Sequence, residues 1–131
     1  MGAVLMALYF HFWFIPLHGL SLAAEVFIGI GLAMQLIMAW VPDYDDSSQC
    51  SRIHRGCTYV MGISMALFMF IASYNTHGIA RLGFGIASLL LTLYAIVFQT
   101  QKALWRNFLL HQSLFFTIFL ATVLALGYFA I

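Results

Sequence analysis

Charged residues are scarce in this chain. They make up 7% of its 131 residues, whereas a soluble domain carries about 25%. A fold with so few charged residues cannot form a polar surface that water solvates, which excludes an ordinary soluble domain. The formal net charge of +1 gives no basic surface for nucleic acid, so that class of partner is excluded as well.

Catalytic motifs are also missing from the sequence. It has no Gly-rich phosphate loop, no G-x-S-x-G nucleophile elbow and no H-E-x-x-H zinc motif. No catalytic residue is therefore predicted, and the question of enzymatic activity stays open.

Cysteine is rare, and both copies lie in one polar stretch, SQCSRIHRGC. Cys50, His54 and Cys57 fall at i, i+4 and i+7, one face of a helix. Two thiolates and an imidazole suit zinc or another soft-tolerant metal, although the C-x-x-C spacing of strong zinc sites is absent. The alternative is two reduced cysteines at the start of a helix.

Apolar residues dominate what is present: 64% of the chain is hydrophobic and the mean hydropathy is +1.01. About twenty apolar residues cross a bilayer as a helix. Four stretches qualify, with approximate bounds 17–41, 57–74, 79–100 and 108–131. Short connections make successive helices antiparallel, so we expect a single all-α transmembrane domain over residues 1–131, an up-down four-helix bundle.

The first stretch, residues 2–15, is too short to span as a helix, at roughly 21 Å. Pro16 and Gly19 then break or kink it. We expect an interfacial or re-entrant helix here, and a fifth, tilted span is the alternative.

Positive charge sets the expected orientation. Arg52, Arg55, Lys102 and Arg106 share one side of the predicted bundle, and Arg81 lies on the other. By the positive-inside tendency, loops 42–56 and 101–107 face the cytoplasm or matrix. We expect a multi-pass protein of a bacterial or mitochondrial inner membrane.

The histidines suggest a cofactor. His54 and His111 begin different spans on the same side, as two axial ligands of b-type haem require, with Arg55 and Arg106 near the propionates. On the opposite side, His18 and His77 are candidates for a second haem. The alternative is that these histidines are interfacial residues whose polar tips reach water.

A third interpretation of the polar stretch uses the pattern S-x-x-H-R, formed by Ser51, His54 and Arg55. It resembles the quinone-site motif at the start of the first helix of succinate dehydrogenase cytochrome b subunits. The resemblance implies that the Ser51 hydroxyl and the Arg55 guanidinium hold a quinone carbonyl. In those subunits, however, no span precedes the motif.

Glu25 is the one acidic residue inside a predicted span, and an ionisable group at depth is a functional candidate. His18 lies seven residues earlier, on nearly the same helix face. We expect either a proton relay through Glu25 and His18 or a neutral carboxyl that clamps two helices together.

Three short motifs lie at or near the starts of predicted spans: Leu17-His18, His54-Arg55 and Leu82-Gly83-Phe84. Together they resemble a bacterial family of small multi-span membrane proteins of unknown function, over residues 17 to about 120. Members also carry an HRRWM segment, which is missing here. The resemblance implies the architecture and orientation, and it points to His18 and His54.

These observations favour a small integral-membrane subunit of an electron-transfer complex that binds b-type haem or quinone. The alternative is a non-catalytic accessory subunit that stabilises a larger membrane complex; a small transporter is a third possibility. Expected partners are other membrane subunits or further copies of the chain, together with lipid.

Overall fold

The computed structural model describes residues 2–41, 49–101 and 108–129. Within these stretches every regular element is a helix, which confirms the predicted all-α class. We number the helices α1 (Gly2–Leu17), α2 (Leu22–Trp40), α3 (Gln49–Asn75), α4 (Gly78–Thr100) and α5 (Phe108–Phe129).

Helices α2 to α5 are each long and apolar enough to cross a membrane. Helices α2 and α3, α3 and α4, and α4 and α5 pack side by side, and α5 also meets α3. The protein is therefore a multi-pass membrane protein with the predicted up-down bundle. We call the end where α3 ends and α4 begins end A, and the end where α4 ends and α5 begins end B.

The helix boundaries differ from the predicted ones for local reasons. Helix α2 begins at Leu22 instead of residue 17, because Gly19 adopts a φ of 57° and breaks the helix after α1. Gly78, with a φ of 59°, makes the tight turn between α3 and α4. Helix α3 begins at Gln49, so residues 49–57 of the polar stretch form its first turns. Residues 130–131 of the fourth predicted span lie outside the described residues.

Helix α1 contributes an aromatic face to the bundle core. Its middle, Phe10–Phe14, is a π-helical turn in which the Ile15 N–H donates to the Phe10 carbonyl. The Phe10 and Phe14 side chains are fully buried. The Phe10 ring lies 5.3 Å from Phe68 of α3 and 6.3 Å from Phe119 of α5.

The position of Phe68 and Phe119 bears on the depth of α1. They lie roughly 10 Å and 15 Å of helix inward from the end-A termini of α3 and α5. The aromatic face of α1 therefore packs into the end-A half of the bundle core. Whether α1 is interfacial, re-entrant or a fifth, tilted span stays a prediction.

Candidate functional site

His54 is the centre of a polar contact between three helices at end B. Its side chain is buried, at 6% exposure. The Nδ1 atom lies 2.8 Å from the Val41 carbonyl oxygen, just past α2, and Nε2 lies 3.3 Å from Oε1 of Gln112 on α5. Gln112 in turn donates from its amide nitrogen to the Met38 sulfur at 3.4 Å. His54 therefore links α3 to α2 and α5.

Both ring nitrogens of His54 are occupied. A neutral imidazole has one N–H, and the shorter contact assigns it to Nδ1, which donates to the Val41 carbonyl. Nε2 lies against the side-chain amide of Gln112.

His111 belongs to a different environment. Its Nδ1 atom lies 2.5 Å from the Tyr94 hydroxyl of α4. The ring, which is half-buried, packs against Phe98, with centroids 5.1 Å apart. Where the Tyr94 hydroxyl donates to Nδ1, the imidazole proton resides on Nε2, and that atom is then a hydrogen-bond donor.

These contacts bear on the predicted haem pair. The structure places His54 beside Gln112, the residue that follows His111, so both histidines lie at the same level of the bundle. They do not face each other, however, because His54 bonds toward α2 and His111 toward α4. Axial ligation by His54 would break one of its two hydrogen bonds. The haem pair stays a prediction, and this geometry does not favour it.

The other predicted ligand residues at end B are distributed around the start of α3. Ser51 is buried and Arg55 is half-buried, on the first turns of that helix. Arg106 lies outside the described residues, as do Lys102 and the loop 42–48.

The predicted metal ligands do not converge. Cys50 is exposed and Cys57 is half-buried, whereas His54 is buried and bonded through both ring nitrogens. Over residues 2–41, 49–101 and 108–129, no group of three His, Cys, Asp or Glu side chains is placed to hold a metal ion.

At end A, Glu25 pairs with His11 of α1 instead of His18. Because α2 begins at Leu22, Glu25 lies in its first turn and not deep within the span. The pair joins α1 to α2, which is the geometry of the predicted clamp.

His18, which follows α1, packs against aromatic rings. Its ring centroid is 4.5 Å from that of Phe14 and 6.0 Å from that of Phe84. Burial lowers the pKa of the His18 imidazole below its ordinary value, and its Nε2 is buried without a hydrogen-bond partner among the described residues. His77, the other candidate of the second haem, is exposed at the N-terminus of α4.

A cleft opens between α3, α4 and α5 next to His111. It opens on the surface of the bundle. Most of its lining is apolar, and its polar groups gather from three helices. The lining residues are Thr58, Tyr59, Met61, Gly62, Ile63, Tyr94, Ala95, Phe98, His111, Gln112 and Phe115.

Sequence reasoning identified His111 in this cleft but missed Tyr94 and Gln112. Tyr94 lies inside a long apolar run with no polar pattern around it. Its pairing with His111 depends on how α4 packs on α5.

No protein-family model matches this chain, and neither a curated protein nor a solved structure matches it. The two family resemblances therefore stay predictions, and the function is argued from the geometry of the residues.

Proposed function

We propose that this protein is a small membrane subunit of an electron-transfer complex, and that it binds a quinone in the cleft between α3, α4 and α5. The observation that supports this most is the composition of the cleft. Its walls are apolar, and the hydrogen-bonded pair of Tyr94 and His111 lies on one side. Ligand pockets typically combine apolar walls with a few polar groups that orient the ligand.

A quinone has the matching chemistry. Its ring is flat and apolar, and its carbonyl oxygens accept hydrogen bonds. The Nε2–H of His111 is the donor for one carbonyl, and the hydroxyl of Tyr59, on the opposite helix of the cleft, is a donor for the other. Phe98 and Phe115 provide aromatic faces for the ring.

The start of α3 supports the same ligand. Arg55 precedes Tyr59 by one helical turn, so the S-x-x-H-R pattern of Ser51, His54 and Arg55 leads directly into the cleft. In the proposed arrangement this pattern shapes the polar end of the site. His54 supports Gln112, and Gln112 lines the cleft.

The site lies toward end B, the positively charged side of the sequence, so the proposal places it in the cytoplasmic or matrix leaflet. In the proposed arrangement, partner subunits supply the electrons.

Binding of a short-chain quinone analogue to the protein in nanodiscs tests the proposal. We expect His111→Leu to weaken binding by about tenfold, which corresponds to the loss of one hydrogen bond to the ligand. The matched control is His77→Leu, at an exposed histidine away from the cleft, and its affinity should equal that of the wild type.

Quinone uptake no greater than that of empty nanodiscs would contradict the proposal and favour the accessory-subunit alternative. An absorption spectrum of the same sample tests the haem prediction independently, because bound haem gives a Soret band that shifts on reduction.

A further inference from the structure

A surface groove between α3 and α4 continues from the cleft toward end A. Gly62, Ile63 and Ala95 line both the groove and the cleft. Beyond the shared residues the groove extends along α3 to Phe70. From Thr58 in the cleft to Phe70, the distance along α3 is roughly 18 Å.

The floor of this groove offers no free hydrogen-bond donor to a carbonyl-bearing ligand. Its two hydroxyl residues both donate within the protein: Ser88 to the Ala66 carbonyl at 3.1 Å and Thr92 to the Ser88 carbonyl at 2.8 Å. The remaining lining is aliphatic or aromatic. A polar ligand would lose its hydration here without compensation, whereas a hydrocarbon chain would not.

The two compartments are ordered as an amphiphile requires. The cleft holds the polar pair of Tyr94 and His111, and Tyr94 is roughly 9 Å of helix from Thr100 at end B. The groove, without a free hydrogen-bond donor, runs from there through the middle of the bundle to Phe70. A molecule in one leaflet has the same order, with its head near the membrane surface and its chain toward the midplane.

We propose that this groove holds the isoprenoid tail of the quinone whose head occupies the cleft. This inference rests on the proposed function and specifies its ligand, a long-tailed prenyl quinone. The head is positioned by hydrogen bonds in the cleft, and the tail adds affinity through apolar contact along Ala66, Leu67 and Phe70.

A series of quinones with one head group and different tail lengths tests the inference. Affinities are measured in nanodiscs and corrected for partition into empty nanodiscs. We expect the long-tailed quinone to bind the wild type at least about tenfold more tightly than the tail-less analogue.

Two substitutions narrow the groove without touching the cleft, Ala66→Leu and Thr92→Leu. Each should remove most of the tail-dependent gain and leave the affinity of the tail-less analogue unchanged. The matched control is Ala121→Leu, at an exposed alanine of α5 that lines neither compartment, and it should retain the gain.

Three results would overturn the inference. In the first, the tail-less analogue binds as tightly as the long-tailed one, and the proposed binding of the head in the cleft is unaffected. A phospholipid without a quinone head displaces the long-tailed analogue equally well, which assigns the groove to bulk lipid. Ala66→Leu converts an oligomer to a monomer without changing tail dependence, which assigns the groove to a second copy of the chain. If neither analogue binds, the proposed function itself fails.

Discussion

The hydroxyl of Tyr94 lies 2.5 Å from Nδ1 of His111, although the two residues belong to different helices and are seventeen positions apart. This bond joins α4 to α5 at the cleft, and the same hydroxyl lies 3.5 Å from the His111 carbonyl oxygen. Two residues of an apolar chain thereby form a polar group beside the cleft.

The Tyr94–His111 bond should have a measurable coupling energy. Interhelical hydrogen bonds in membrane proteins contribute about 0.6 kcal/mol on average and up to about 1.7 kcal/mol. We expect Tyr94→Phe to lower the free energy of unfolding by an amount in this range. A double-mutant cycle with His111→Leu should give a coupling free energy of the same size. Tyr74→Phe is the control, since Tyr74 is 77% exposed. A coupling energy near zero would contradict the bond.

His54 should matter more for stability than for the ligand. His54→Leu leaves the Val41 carbonyl and the Gln112 side chain without this partner, and a buried polar group without a partner costs about 1–3 kcal/mol. We expect the free energy of unfolding in detergent to fall by that amount, and quinone affinity to fall less than in His111→Leu, because His54 reaches the cleft only through Gln112. His77→Leu serves as the control. A lost quinone site in a still folded His54→Leu protein would show that His54 acts on the ligand.

Gly83 should be sensitive to a single added methyl group. A Cβ at Gly83 would lie 2.6 Å from Cδ2 of Leu126, so α5 or the Leu126 side chain would have to move. Overpacking costs about 1–3 kcal/mol, and the better helix propensity of alanine returns at most about 1 kcal/mol. We therefore expect Gly83→Ala to lower the free energy of unfolding, by up to about 2 kcal/mol.

Gly85 is the matched control for this prediction, because its added Cβ would meet Ser73 at an ordinary 3.8 Å. Gly85→Ala should be neutral or stabilising. Equal unfolding temperatures for the two variants would show that α4 and α5 are not in close contact at Gly83.

His18 should make the stability of the fold dependent on pH. It lies between α1 and α2, outside the spans, and burial lowers the pKa of its imidazole below the ordinary value of 6.5. The unfolded chain then binds the proton more tightly than the folded protein. Stability is therefore complete above about pH 6.5 and decreases as the pH falls through that value toward the lower folded pKa.

Thermal unfolding in a non-ionic detergent across this pH range measures the effect. His18→Gln should reduce the loss of stability at acid pH, whereas His77→Gln, at an exposed position, should leave it unchanged. The assignment to His18 is wrong if both variants change the pH dependence to the same extent.

The His11–Glu25 pair should contribute little to stability. The two side chains are 58% and 35% exposed, and exposed ion pairs are typically worth about 0–1 kcal/mol. We expect Glu25→Gln to fold normally and to lose less than about 1 kcal/mol, measured by chemical unfolding in detergent. A variant that fails to assemble would instead identify the pair as an essential clamp between α1 and α2.

The span positions followed from composition alone, because apolar length determines which segments cross a bilayer. The helical start of α3 also followed from the sequence, because the segment SRIHR before the second apolar stretch is compatible with a helix, and α3 begins at Gln49. The partner of Glu25, in contrast, could not be predicted from the sequence. The seven-residue spacing suggested His18 as its partner. Because the chain breaks at Gly19, α2 begins only at Leu22, and Glu25 pairs with His11 of α1.

By itself, the sequence determined that this protein is a helical bundle in a membrane, because a chain with 7% charged residues and four long apolar stretches has no other solvent that suits it. The tertiary structure alone decided which polar residues meet. Side-chain partners such as Tyr94 and His111 are set by the rotation and packing of whole helices, and those depend on every contact in the core at once.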